Sequence, residues 1–84
     1  MPVVLRIRNL RFYFYSNEHE PKHIHVTDGR RRPGLEVKIE LESLKISKVK
    51  GFSKRDVNQI VKIVAAYQQH LLDEWEGYFD DNQE

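Results

Sequence analysis

Two short segments, Arg-Phe-Tyr-Phe-Tyr at residues 11–15 and His-Ile-His-Val-Thr at residues 23–27, decide the fold of this chain. Both alternate between two kinds of side chain and are rich in the aromatic and β-branched residues that favour strands. Successive side chains of a strand point to opposite faces of a sheet. One face is therefore apolar and buried, and it carries Phe12, Phe14, Ile24 and Val26. The tyrosines and histidines between them lie on the opposite, polar face.

The same alternation extends along the chain in both directions. Residues 3–8 and 35–42 repeat it clearly, and residues 44–49 follow it less regularly. A polar segment with a proline at residues 17–22, and a tip with two glycines and three arginines at residues 28–34, are typical of connections between strands. We expect an antiparallel sheet of four to five strands, connected as a hairpin meander, over about residues 3–50.

A single long helix is expected after the sheet. Ser53 is a favourable N-cap residue, and Asp56 places a negative charge near the positive end of the helix dipole. Apolar residues then recur at helical spacing, with no glycine or proline before Gly77. This pattern predicts a helix over about residues 54–79 and a frayed tail over 80–84. The whole chain, residues 1–84, is then one α+β domain in which the helix covers the apolar face of the sheet.

The composition narrows the classes of site and location. The chain has no cysteine, which excludes disulfides, thiolate metal sites and thiol nucleophiles. No stretch approaches the roughly 20 apolar residues of a membrane span, and no signal-peptide pattern follows Met1. We expect a bacterial, cytoplasmic protein that does not contact a membrane. A homodimer or a permanent partner would add buried area to a domain of only 84 residues.

The net charge of +1 conceals a strong asymmetry along the chain. Up to Asp56 there are 13 Lys and Arg against 7 Asp and Glu, whereas from Val57 onward one Lys stands against 6 acids. A basic first part suits a polyanionic ligand, and an acidic tail can repel such a ligand or bind a basic partner. The alternative is that the charges only keep a small protein in solution.

The polar face of the predicted sheet concentrates groups that recognise phosphates and bases. Arginine forks hold phosphates, and tyrosine rings stack on unpaired bases. Tyr13 and Tyr15 are candidates for stacking or proton donation. The candidate nucleic-acid-binding residues are Arg6, Arg8, Arg11, Arg30, Arg31 and Arg32. A protein-binding face and a plain solvated surface are the alternatives.

Two histidines on one strand are the sharpest chemical signal. His23 and His25 are two residues apart, so their side chains point the same way with Cα atoms about 7 Å apart. One as general base and the other as general acid would suffice for metal-independent RNA cleavage through the 2′-hydroxyl of the RNA. With His19 as a third ligand they could instead hold zinc. We expect no cofactor, with zinc as the alternative.

The aromatic end of the helix offers a candidate partner interface. Trp75, Tyr78 and Phe79 exceed what a small sheet can easily cover. These aromatics either bind a second chain or close the end of the core.

Several of these segments together resemble a known family. They are Val-Leu-Arg-Ile at residues 4–7, residues 11–18, Glu-Pro-Lys-His-Ile-His-Val at residues 20–26, and Gly-Phe-Ser at residues 51–53 before a long helix. This combination is similar to domain-of-unknown-function family 4160 over essentially the whole chain. The matching motif residues include Arg6, Arg11, Glu18, His23 and His25. Lys22 stands where relatives commonly repeat proline, and the tip at residues 29–33 is unusually basic.

The resemblance implies a function that the residues alone do not. Members of the family are small bacterial proteins often encoded beside a partner of another uncharacterised family, numbered 2442, in an arrangement similar to a type II toxin and antitoxin pair. The resemblance therefore implies that this protein is a toxin-like component that a cognate antitoxin-like protein neutralises. No established reaction follows from the resemblance. We expect the protein to act on RNA through the polar face. A non-enzymatic nucleic-acid- or protein-binding module and a histidine-coordinated metal protein are the alternatives.

Overall fold

The computed structural model describes residues 3–15, 21–30 and 34–81, with side chains as far as Phe79. Within these residues one antiparallel sheet has the strand order β1-β2-β3-β4-β5, and two helices follow it. The predicted meander and α+β class are confirmed. The strands are β1 (Val3–Ile7), β2 (Leu10–Tyr13), β3 (His23–Asp28), β4 (Glu36–Glu40) and β5 (Ile46–Lys50), and the helices are α1 (Lys54–Ala66) and α2 (Gln68–Asp81).

The prediction of one long helix is wrong, because the helix is interrupted at Tyr67. The backbone of Tyr67 has φ −106° and ψ 17°, away from α-helical values. Immediately after it, the Gln68 side-chain amide donates to the carbonyl oxygen of Leu41, 2.6 Å away beyond the end of β4. The apolar period runs on through the break, so the sequence pattern gives no sign of it.

Irregular pairing in β1 also departs from simple alternation. Leu5 pairs with Phe12, but Val3 pairs with Tyr13, so the register shifts between Val3 and Leu5. Val3 therefore shares its row with the polar-face residue Tyr13, rather than lying on the apolar face as its alternation predicts. Val4 packs against the core instead. Val4, between these two pairs, is therefore an extra residue in β1. An extra residue in one strand of an antiparallel pair is a β-bulge, which increases the local twist of the strand.

The core lies between one face of the sheet and the two helices. α1 buries Val57, Ile60 and Val64, and α2 buries Leu71 and Trp75. The sheet contributes Phe12, Phe14, Ile24, Val26, Val37 and Ile39, all with no exposed surface. These are the predicted core positions of β2, β3 and β4. Edge strand β5 is exposed along its whole length.

Candidate nucleic-acid interface

The strand registers align the polar side chains of the sheet into rows. One row crosses the sheet from Arg6 to Arg11 to Thr27. The next row, two residues further along β2, contains Tyr13, His25, Lys38 and Lys48. Because adjacent rows are about 7 Å apart, the arginines and the aromatic and histidine residues form one continuous polar strip.

Four arginines surround a small cavity at one end of this strip. The cavity has a volume of about 150 Å³ and lies beside the β1–β2 turn. Its charged lining consists of Arg6, Arg8, Arg11 and Arg30. We name these four residues the arginine cluster. The predicted nucleic-acid residues Arg31 and Arg32 lie outside the described residues.

Arg8 belongs to the cluster, but it does not lie on a strand as its sequence pattern predicts. It is not a strand residue, because β1 ends at Ile7 and Arg8 lies in the turn. Its φ is +55°, in the left-handed region that non-glycine residues seldom adopt. Strained backbone of this kind persists only where the surrounding structure holds it, and it concentrates at functional sites.

The arginine cluster takes part in none of the ion pairs found within the described part of the chain. Among the described residues, no Asp or Glu forms an ion pair with any of the four guanidinium groups. Arg6 and Arg11 lie directly opposite each other in the β1–β2 ladder, an arrangement in which like charges destabilise the pairing. An anion in the cavity would relieve this repulsion.

A larger cleft of about 670 Å³ lies where the β1–β2 turn faces α1. Part of its lining is apolar, from Leu10, Phe52 and Ile60. Arg8 and Arg30 line both this cleft and the smaller cavity. The larger cleft is also lined by Asp28 and Asp56, so its charge is mixed, whereas all the charged residues that line the smaller cavity are arginines.

His25 is held by a carboxylate that sequence reasoning missed. Its Nδ1 lies 2.5 Å from Oε2 of Glu36, and the other oxygen of Glu36 lies 3.5 Å from Nζ of Lys48. An ionised carboxylate only accepts hydrogen bonds, so Nδ1 of His25 donates. In the neutral ring Nε2 is then the basic nitrogen, which is the geometry of a histidine general base held by a carboxylate.

His23 is fixed in the same tautomer by the backbone. Its Nδ1 lies 2.8 Å from the carbonyl oxygen of Pro21, which can only accept, so Nδ1 donates here as well. The rings of His23 and His25 meet edge to face with centroids 5.1 Å apart. The predicted pairing of the two histidines on one face is therefore present.

With one face of the sheet covered by the helix, the opposite, polar face is expected to be exposed, and at these histidines that expectation is wrong. His23 is 4% exposed, His25 5% and Tyr13 8%, because the rings cover one another. Tyr13 stacks on His25 at a centroid distance of 5.4 Å, and Tyr15 meets His25 edge-on at 4.9 Å. Tyr15, at 41% exposed, is the ring of this group that a ligand can reach directly.

The aromatic residues of α2 pack against the chain itself. Trp75 is 3% exposed and contacts Phe14 and His23 at centroid distances of 5.4 and 5.3 Å. Tyr78 and Phe79 are half-buried against the core and also meet Phe14. Trp75 therefore helps to hold His23 in place, and the partner interface expected at these three residues stays a prediction.

A metal site cannot be assembled from the residues that the structure describes. No group of three or more His, Asp or Glu within residues 3–15, 21–30 and 34–81 is arranged to hold a metal ion. His19, the expected third ligand, lies outside these ranges. The zinc alternative stays a prediction.

Glu36 could be placed on the polar face from sequence, but not beside His25. The alternation of residues 35–42 puts Glu36, Lys38 and Glu40 on one face. The ladder pairs His25 with Lys38, so Glu36 reaches His25 diagonally. Sequence alternation specifies faces and leaves register open, so the partner of His25 needed the tertiary structure.

Comparison with known proteins agrees with the motif resemblance. Neither helix in the described part of the chain is long and apolar enough to cross a membrane. No curated protein and no solved structure matches the chain. The sequence profile of the domain of unknown function DUF4160 matches residues 9–76. These residues include the second arginine of the Arg6–Arg11 pair, both buried histidines and most of the helical region, and the chain therefore belongs to the DUF4160 family.

Proposed function

We propose that this protein is the toxin-like component of a bacterial type II toxin and antitoxin pair and binds single-stranded RNA across its polar strip in the cytoplasm. The observation that carries the proposal is the arginine cluster, which places four guanidinium groups without described carboxylate partners at one end of a row of aromatic rings. The support for the toxin and antitoxin assignment is the family resemblance alone. No contact within the described part of the fold bears on this assignment.

Single-stranded RNA fits the strip better than a duplex does. Proteins that bind single strands combine a positive groove along the backbone with aromatic rings on which bases stack. Here Arg11 lies near the start of β2 and Tyr15 lies two residues after its end. Four residues span about 13 Å in an extended chain, and Tyr15 is 41% exposed. A phosphate held by the arginine cluster would therefore leave the next one or two bases within reach of Tyr15.

The histidines supply a candidate reaction at the same site. Nε2 of His25 would take the proton of a 2′-hydroxyl, and the resulting 2′-oxygen would attack the adjacent phosphorus. The bond from phosphorus to the 5′-oxygen would break, and protonated His23 would give its proton to that leaving oxygen. The products are a 2′,3′-cyclic phosphate and a 5′-hydroxyl. Glu36 supports this role because it orients His25.

RNA binding without cleavage is the second candidate, and the burial of the histidines favours it. The side chain of His25 is only 7% exposed, so a phosphate can touch its Nε2 only if groups packed around the ring, which include Tyr13 and Tyr15, move aside. In this case the ring cluster acts as a rigid platform and the RNA is held rather than cut. The two candidates share one surface and differ only in turnover.

Binding is tested first, with a short single-stranded RNA and fluorescence anisotropy at several salt concentrations. The variant Arg6→Gln/Arg11→Gln is compared with Lys54→Gln/Lys62→Gln, which removes the same charge from exposed positions of α1. We expect the first variant to lower the magnitude of the slope of log K against log salt by about 1.4, the value for two lost phosphate contacts on a single strand. Equal slopes for the two variants would contradict the proposed site.

Turnover is tested by inducing the protein in bacteria and following growth together with the integrity of total RNA. The comparison variants are Glu36→Gln, which preserves the shape of the residue, and the double substitution of His23 and His25 by alanine. Growth arrest with RNA loss that both variants reduce supports the cleavage reaction. RNA loss that persists in a folded double variant would show that the histidines take no part in cleavage. RNA binding by the wild type without any RNA loss would support the second candidate, binding without cleavage.

A further inference from the structure

The arginine cluster lines a cavity at one end of the polar strip. This position determines which part of an RNA strand the cluster can hold. The β1–β2 turn bounds the cavity through Arg8, Asn9 and Leu10. Internal phosphates of a strand need an open path on both sides, whereas a cavity bounded on one side by a turn suits the end of a strand. The volume of about 150 Å³ is enough for a phosphate group and little more.

We infer that the arginine cluster binds the terminal phosphate monoester of an RNA strand, an inference that rests on the proposed function. A monoester phosphate carries a charge of about −1.5 to −2 at neutral pH, whereas an internal phosphodiester carries one negative charge. Four guanidinium groups around one cavity exceed what a single diester needs. Bidentate pairing of guanidinium with phosphate uses several oxygens at once, and a terminal phosphate offers three that are unbridged.

Two backbone features in the turn region keep the guanidinium groups at the cavity. Arg8 is held at φ +55°, a conformation that glycine would adopt without steric cost. Gly29 leaves room for Arg11, since a Cβ at position 29 would lie 3.0 Å from the Cζ atom of the Arg11 guanidinium. Its amide also donates to the carbonyl oxygen of Asn9 at 2.8 Å, which ties the end of β3 to the turn.

The test uses calorimetric titration of the full chain with three oligonucleotides of one sequence, bearing a 5′-phosphate, a 3′-phosphate or hydroxyl groups at both ends. All are 2′-O-methylated, so that no cleavage through the 2′-hydroxyl can occur. We expect one phosphorylated end to bind about tenfold more tightly than the hydroxyl form, as a further charge-assisted contact would produce. The position of the preferred phosphate gives the polarity of the bound strand.

Two variants separate this site from general charge. Arg8→Gly removes one guanidinium while keeping the turn, and Gly29→Ala pushes the Arg11 guanidinium away slightly, from a Cβ contact of 3.0 Å, without removing any charge. We expect Arg8→Gly to abolish most of the tenfold preference for the phosphorylated end, Gly29→Ala to reduce it by a smaller factor, and Lys54→Gln to retain it. Retention of the full preference in folded Arg8→Gly would overturn the assignment of the cavity.

The outcomes also distinguish this inference from the function on which it rests. Equal affinity for all three oligonucleotides overturns the terminal-phosphate site and leaves RNA binding in place. Absence of binding to any of them overturns both. Saturable binding of inorganic phosphate, followed by amide chemical shifts of Asn9 and Gly29 in the wild type but not in Arg8→Gly, supports a monoester site independently of RNA.

Discussion

Replacing Gly51 by alanine is expected to destabilise the fold more than a typical surface substitution does. Gly51 has φ +83°, and a Cβ there would lie 2.1 Å from the Cδ2 atom of Leu35. Leu35 is 5% exposed, so its side chain has little room to retreat. Forcing a side chain into left-handed backbone costs roughly 1–2 kcal/mol, and overpacking typically adds about 1–3 kcal/mol. We expect a total loss of about 2–5 kcal/mol from the free energy of unfolding.

Two other glycines distinguish the cost of backbone strain from the cost of overpacking. Gly34 also has a positive φ, +95°, but the nearest atom to a Cβ there is Cε of Lys50 at 3.9 Å, so Gly34→Ala should cost only the backbone part, about 1–2 kcal/mol. Gly77 lies in α2 with nothing within 4 Å of a Cβ. Gly77→Ala should therefore stabilise the protein by about 0.5–1 kcal/mol, because glycine is a poor helix residue.

Urea denaturation followed by tryptophan fluorescence measures all three variants. The chain has a single tryptophan, Trp75. This side chain is buried in the core, with only 3% of its surface exposed, so its fluorescence emission reports unfolding of the domain. The expected order of stability is Gly77→Ala, wild type, Gly34→Ala and then Gly51→Ala. If Gly51→Ala were as stable as Gly34→Ala, the steric argument at Leu35 would be wrong.

Further substitutions at three positions test the packing, the helix cap and the surface charges by the same denaturation assay. Phe14→Ala should cost about 3–5 kcal/mol, since Phe14 has no exposed surface and joins the sheet to α2; a cost below 1 kcal/mol would contradict this packing. Ser53→Ala should cost about 1 kcal/mol, because the Ser53 hydroxyl accepts from the Asp56 amide at 3.1 Å, and Ser53→Asp should restore the loss. Glu76→Gln should cost less than about 1 kcal/mol although Glu76 lies 2.9 Å from Lys22, because such exposed ion pairs contribute little; a larger loss, absent in high salt, would show that the pair matters more than its exposure suggests.

Sequence alternation predicted the faces of the sheet well. In β3 and β4 the apolar residues Ile24, Val26, Val37 and Ile39 are all fully buried, because a side-chain period of two leaves no other way to cover them. Alternation failed at Val3, where a bulge changes the register of one edge strand. A bulge leaves no mark in an apolar pattern that is only a few residues long.

The candidate site was predicted in part. The sequence placed Arg6, Arg11 and the two histidines on one face, and the ladder confirms that arrangement. It did not predict the burial of His23 and His25, because burial on that face comes from rings of β2 and α2 that are remote in sequence. Trp75, for example, reaches His23 across 52 positions of the chain.

The sequence by itself determined the fold class, the number of strands to within one, the apolar face and the residues of the polar strip. These follow from local periodicity and from residue chemistry, which any short segment carries on its own. Only the tertiary structure decided the pairing of His25 with Glu36, the break at Tyr67 and the position of Arg8 in a turn between two cavities. Each of these depends on contacts or backbone angles that the packed chain imposes, and a local pattern of side chains does not contain them.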